Sequence, residues 1–161
     1  MKTLKGLLLV FSISILAVTA PKANSDIPKI ADNIFTAIRT IDYTSINILL
    51  AEDMDIDTVD HNGNTPLMVA AGIGNPRILK IILSHNPNIN KQNKNGMTAL
   101  MIAAKSGQFY IVRKLIERGG DDSIQDSDGN TALTLASKFA HNQIVHYLMT
   151  TKRSNTRTYT K

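Results

Sequence analysis

Residues 60–71 read DHNGNTPLMVAA, residues 93–104 read NKNGMTALMIAA and residues 126–137 read DSDGNTALTLAS. The three stretches lie 33 residues apart, and their shared Gly-x-Thr core falls at Gly63/Thr65, Gly96/Thr98 and Gly129/Thr131. A repeat of that length is one supersecondary unit recurring along the chain, each copy burying its apolar face only against its neighbours. The period decides the fold class before composition is considered.

Within each unit the residues dictate a turn and then a helix. The glycine takes the place where a tight turn needs positive φ, a conformation that costs other L residues roughly 1–2 kcal/mol. The threonine two places on can cap a helix by accepting from a first-turn amide, and Pro66 stands where a missing N–H is harmless. Small residues at 70/71, 103/104 and 136/137 keep this first helix thin, so that neighbours stack closely. A second helix follows, marked by the apolar stripes Ile78-Leu79 with Ile82-Leu83, Ile111-Val112 with Leu115-Ile116, and Ile144-Val145 with Leu148-Met149. Asn86 and Gly119 then offer left-handed geometry for the exit turn.

One period upstream a degenerate unit is legible. Leu67 maps onto Ile34, Ala70 onto Ala37, and Ile82-Leu83 onto Leu49-Leu50, without the turn glycine or capping threonine. An end unit, with one face in water, is free to drift in this way. The expected fold is therefore all-α: a solenoid of stacked helix-turn-helix units joined by short β-turn or hairpin loops. It divides into a degenerate capping unit at 27–59, repeats at 60–92 and 93–125, and a capping repeat at 126–151.

The segments outside this body read differently. Lys2 and Lys5 precede an apolar run from Gly6 to Ala20, which is fifteen residues, short of the roughly 20 that a membrane-spanning helix needs. Residues 1–25 are expected to be a secretory signal peptide cleaved after Ser25, leaving no stable membrane insertion. Residues 152–161 are expected to form a disordered basic tail, since Thr150 to Lys161 carries bases and hydroxyls and little that could be buried. Export to the periplasm or beyond is the expected localisation. Richness in Ile, Lys and Asn, with no Trp, points to an AT-rich bacterial source.

The formal charge of +5 suggests nucleic acid as a partner until it is divided by segment. The body from 26 to 151 holds 11 basic and 13 acidic residues, a net of −2, so nucleic acid is not the expected partner. Residues 61–118 carry eight bases against Glu117 alone, between acidic flanks. The chain has no cysteine, which excludes disulfides and thiolate metal sites. His61, His85, His141 and His146 lack ligand spacing. Asp53, Asp55, Asp57 and Asp60 alternate like calcium-loop ligands but lack that loop's glycine and closing glutamate. No metal, cofactor or catalytic residue is expected.

The three units resemble ankyrin repeats. The resemblance implies a non-enzymatic, monomeric module that binds another protein through its turn tips and the exposed side of its first helices. Carried onto this chain, that surface comprises His61, Asn62, Asn64 and Ile73, then Lys94, Asn95, Met97, Lys105 and Ser106, then Ser127, Asp128, Asn130, Lys138 and Phe139. Ile73, Met97 and Phe139 are expected to centre the interface, with charged residues as its rim. The partner is expected to be either a host protein met by a secreted effector or an envelope enzyme with its periplasmic helper or inhibitor. The chain departs from the family pattern where a histidine usually follows Thr-Pro-Leu: Met68, Met101 and Thr134 stand there, the first two as gap fillers. His141 occupies a structural histidine position. Ala140 replaces the glycine found at 74 and 107, which predicts a looser loop in the last unit.

Overall fold

The computed structural model describes residues 30–52 and 54–156. The expected signal segment lies outside the described residues. Eight helices and no strand occur among those described: α1 Ile30–Arg39, α2 Tyr43–Ala51, α3 Pro66–Ile73, α4 Pro76–Leu83, α5 Ala99–Lys105, α6 Phe109–Glu117, α7 Ala132–Lys138 and α8 Asn142–Thr156. They pair as α1/α2, α3/α4, α5/α6 and α7/α8, one pair per 33-residue unit. The first helices α1, α3, α5 and α7 stack side by side as an inner row, and the second helices form an outer row. No helix among the described residues is long and apolar enough to cross a membrane.

Each inner helix starts at its threonine. The Thr65, Thr98 and Thr131 hydroxyls accept from the amides of Met68, Met101 and Thr134, each at 3.3 Å. Thr65 and Thr98 are buried, and without these bonds each would leave a polar group unpaired in the core. Thr134 also returns the favour, its Oγ1 accepting from the Thr131 amide at 2.7 Å. The position where the family pattern has histidine thus closes the cap locally. Met68 and Met101 are 1% exposed and fill the core, as expected.

The outer helices begin differently. Asp42 and Asn75 cap α2 and α4, Asn75 Oδ1 accepting from the Arg77 and Ile78 amides at 3.0 and 3.2 Å. One continuous core runs from Ile34 to Leu148, with the alanines of the inner helices at 0–4% exposure. Small side chains there let the inner row stack at close range, while Ile and Leu of the outer helices supply most of the buried volume.

The turn joining the two helices of a unit is set by one left-handed residue, at 41, 74, 107 and 140, again spaced by 33. Gly74 and Gly107 have φ of 78° and 73°, and Ile41 and Ala140 both 58°. Ala140 therefore does not loosen its loop. The turn closes in the last unit as in the third, with the His141 amide on the Ala136 carbonyl at 2.9 Å and the Gln108 amide on that of Ala103 at 3.0 Å. At 74 and 107 the residue heading the next unit's outer helix lies over the turn. A Cβ on Gly107 would stand 2.6 Å from His141 Cε1, and one on Gly74 would meet the Gln108 side-chain amide, whose flexible end would have to shift. Ala140 lies in the last unit, with no described unit above it, so a methyl group fits and only the backbone strain remains. Ala140→Gly is expected to raise stability by about 0.5–1 kcal/mol, a rise in midpoint of a few degrees in a thermal melt.

The last helix is the longest of the eight described. α8 continues to Thr156, through the first part of the stretch expected to be disordered. Thr150 Oγ1 donates to the Tyr147 carbonyl at 2.8 Å and Thr151 Oγ1 to that of Leu148 at 3.0 Å, so these hydroxyls serve the helix instead of competing with it. The remainder of the expected tail, 157–161, lies outside the described residues.

Candidate binding surface

Three turn tips project from the inner row, each built on one side-chain acceptor. Asp60, Asn93 and Asp126 use Oδ1 to accept from the amides two and four residues on, at 2.9 and 2.9 Å, 3.0 and 2.9 Å, and 3.0 and 2.7 Å. Each tip is closed by an amide of the same residue donating across the turn, Asp60 to Asn64, Asn93 to Met97 and Asp126 to Asn130. Gly63, Gly96 and Gly129 supply the positive φ these turns need, at 78°, 72° and 78°. Neighbouring tips then join through the Lys94 amide on the Asn62 carbonyl, 3.2 Å, and the Ser127 amide on that of Asn95, 2.9 Å. The tips form one hydrogen-bonded row, not independent loops.

Charge at the tips follows from these bonds. Burial pushes the Asp126 carboxyl up, but bonds from the Asn130 amide and side chain and the Asp128 amide, with the nearby charge of Lys138, outweigh it and hold it below its ordinary value. The same balance holds Asp60 down, with Asn64 and Asn62 as donors. Arg39 reaches Asp60 at 3.2 Å and ties the first unit to the second. A carboxyl with a depressed folded value stabilises the fold above its unfolded value, and that stabilisation disappears as pH falls through the folded one. Stability should therefore drop on acidification below about pH 4. Asp126→Asn, which copies Asn93, should keep the turn and flatten that slope, as read from denaturant midpoints across the acid range.

The expected surface residues separate into three groups. Asn95, Met97, Lys105, Ser127, Asp128, Asn130, Lys138 and Phe139 line one groove of about 360 Å³ between the third and fourth units. His61 and Asn62 lie exposed at the far tip, Lys94 Nζ is tied to the His61 carbonyl at 2.8 Å, and Asn64 is engaged by Asn93 Nδ2 at 2.8 Å. Ser106 is exposed just past the end of α5. Ile73 is half-buried against the core, apart from the groove.

The three apolar residues expected as anchors thus differ in kind. Phe139 is 44% exposed, while Ile73 and Met97 pack partly into the core. The groove also gains Asp126 and Leu135. Leu135 is buried and forms the floor. Lys105 Nζ sits 5.6 Å from the centre of the Phe139 ring, within cation–π range. His141 Nε2 meets the Lys105 carbonyl at 3.0 Å and fixes the end of α5. Because Asp126 spends both carboxylate oxygens on Asn130 and Asp128, the groove presents Asp128 on the tip side and Lys105 and Lys138 on the helix side. Such a groove can hold an extended or turn segment by shape, one aromatic contact and charges of both signs. Among the described residues, no cluster of three His, Asp or Glu could hold a metal ion.

A family model described as ankyrin repeats (3 copies) matches residues 34–126 and 74–159. A comparison with curated proteins found no match.

Proposed function

The chain belongs to the ankyrin-repeat family, generally a fold of protein–protein interaction, and from that premise we propose that it captures a partner protein in the groove between its third and fourth units, without catalysis. What carries the reading is the convergence of eight expected surface residues on one concavity with a half-exposed phenylalanine at its edge. A large, rigid ring beside two lysines is the composition of an interface anchor and its rim. The stacked units hold the groove in shape before binding, which limits the ordering lost on association. The body acts as a monomer.

The site of action we infer from the leader: residues 1–25 direct export, and the mature chain begins at Asp26. N-terminal sequencing of envelope or secreted protein reads this directly, and an intact Met1 would refute cleavage. The partner is then an envelope enzyme or complex, or a host protein reached after secretion.

Capture from envelope and host extracts, followed by mass spectrometry, names candidates. The groove is then tested on the purified pair. Phe139→Ser should weaken affinity about tenfold, as truncation of an anchor does. Lys138→Glu should instead act mainly on the association rate and its salt dependence. Both residues are exposed, so circular dichroism should stay at the parent signal. Parent-like binding by both folded variants would place the partner on another face.

A further inference from the structure

The net charge of the body conceals a segregation by face. The outer helices α4 and α6, with Arg118 at the end of α6, carry Arg77, Lys80, Arg113, Lys114 and Arg118 against Glu117 alone. That single acid is already engaged, with Lys114 Nζ at 2.6 Å and Arg113 Nε at 3.5 Å. Lys80 is exposed and makes no ion pair among the described residues. The acids meanwhile concentrate at the tips and connecting turns, at Asp60, Asp126 and Asp128 among others. A neutral average therefore covers a basic outer face.

That face is not flat. A groove of about 340 Å³ runs between α4 and α6, floored by the buried Leu79 and Leu83 and walled by Lys80, Tyr110, Lys114 and Arg118, with Glu117, the partner of Lys114, as the one acid on its wall. Arg118 donates from Nη1 to the Leu83 carbonyl at 3.3 Å, bridging the two helices at one end. Tyr110 is 43% exposed, and the charges of Arg113 and Lys114 stand 5.9 and 5.8 Å from its ring centre. An exposed aromatic ring above an apolar floor, edged by three bases against one acid, is complementary to an apolar side chain flanked by carboxylates.

We propose that the groove between α4 and α6 is a second docking surface, on the outer helices and sharing no lining residue with the groove at the tips, and that it takes an acidic protein segment. One aromatic or aliphatic side chain of that segment seats against Tyr110 and the leucine floor, and its carboxylates meet Lys80 and Lys114. The enclosed shape favours a protein segment over a lipid surface, because a membrane-binding face needs a broad band of exposed apolar residues beside its bases, and this face offers Tyr110. The electrostatic component governs encounter and salt sensitivity, and the seated side chain governs dwell time.

The test uses the mature protein and a fluorescein-labelled peptide of Asp and Glu around a central Phe, read by anisotropy. Saturable, salt-sensitive binding is expected, weakened about tenfold by Lys80→Glu and by Tyr110→Ala and unchanged by Phe139→Ser. Both altered outer residues are exposed, and circular dichroism verifies the fold. Equal binding of a peptide with Ser in place of Phe would reduce the contact to bulk charge and overturn the proposal. So would indifference to both outer variants, or Lys80-dependent binding to vesicles of phosphatidylglycerol and phosphatidylcholine without binding of the peptide.

Discussion

Gly96→Ala is expected to cost about 2–3 kcal/mol and to lower the thermal midpoint by about 10 °C. Two effects add. The residue holds φ at 72°, which an alanine meets with strain of roughly 1–2 kcal/mol. A Cβ there would also stand 2.9 Å from Ser127 N and 3.1 Å from Asp126 C, backbone atoms of the next tip. Relief would require moving that tip, and the Ser127 amide is bound to Asn95 at 2.9 Å, so the move breaks the bond that joins the row. Gly129→Ala is the control. Its φ is 78°, yet nothing lies within 4 Å of the added carbon, so only the backbone strain of about 1 kcal/mol remains. Equal midpoints for the two variants would show that the tips do not stack.

Ala103→Leu tests the inner row. Ala103 is fully buried, and α5 packs against α3 on one side and α7 on the other. A leucine has no unoccupied space to enter, and separating the helices would open both interfaces together. The cost should lie near the upper end of ordinary overpacking, about 3 kcal/mol. Because each unit touches only its neighbours, the loss should fall on the middle of the array and broaden the denaturant transition as well as shift it. Ser106→Leu, exposed just past the end of the same helix, should change stability by less than about 0.5 kcal/mol. A parent-like midpoint for Ala103→Leu would mean that residue 103 faces away from its neighbours.

The period made much of this architecture legible. Gly63, Gly96 and Gly129, the three capping threonines and the paired alanines each recur in register, and each does locally what its chemistry suggests. Ala140 and Ile41 were not readable as left-handed, because propensity alone argues against that conformation for alanine and isoleucine. The stacked pair around them imposes it. The end of α8 is hard to read for the opposite reason: Thr150 and Thr151 look like loop residues until their hydroxyls find helix carbonyls one turn back. Among the site residues, Asn95, Met97 and Lys105 of the third unit and all five of the fourth share one groove, whereas Lys94 and Ser106 lie outside it. Ile73 and Met97 did not emerge as exposed anchors, since a turn-facing position in a repeat is also where the neighbouring unit leans. The basic segment 61–118 is legible along the chain, whereas its sorting onto the outer helices α4 and α6 needs the helical geometry that turns charge around the axis.

The meshing of tip on tip and alanine on alanine has a genetic consequence. The surface that the third unit presents to the fourth is cut from the same pattern as the one it receives from the second, displaced by 33 residues. A duplicate of residues 93–125 spliced after Gln125 would therefore find acceptable neighbours on both sides at once. One such event would lengthen the array by about one helix spacing, roughly 8–10 Å, with no compensating change elsewhere. Reach can thus be inherited separately from recognition, and unequal crossing-over within the gene is enough to adjust it.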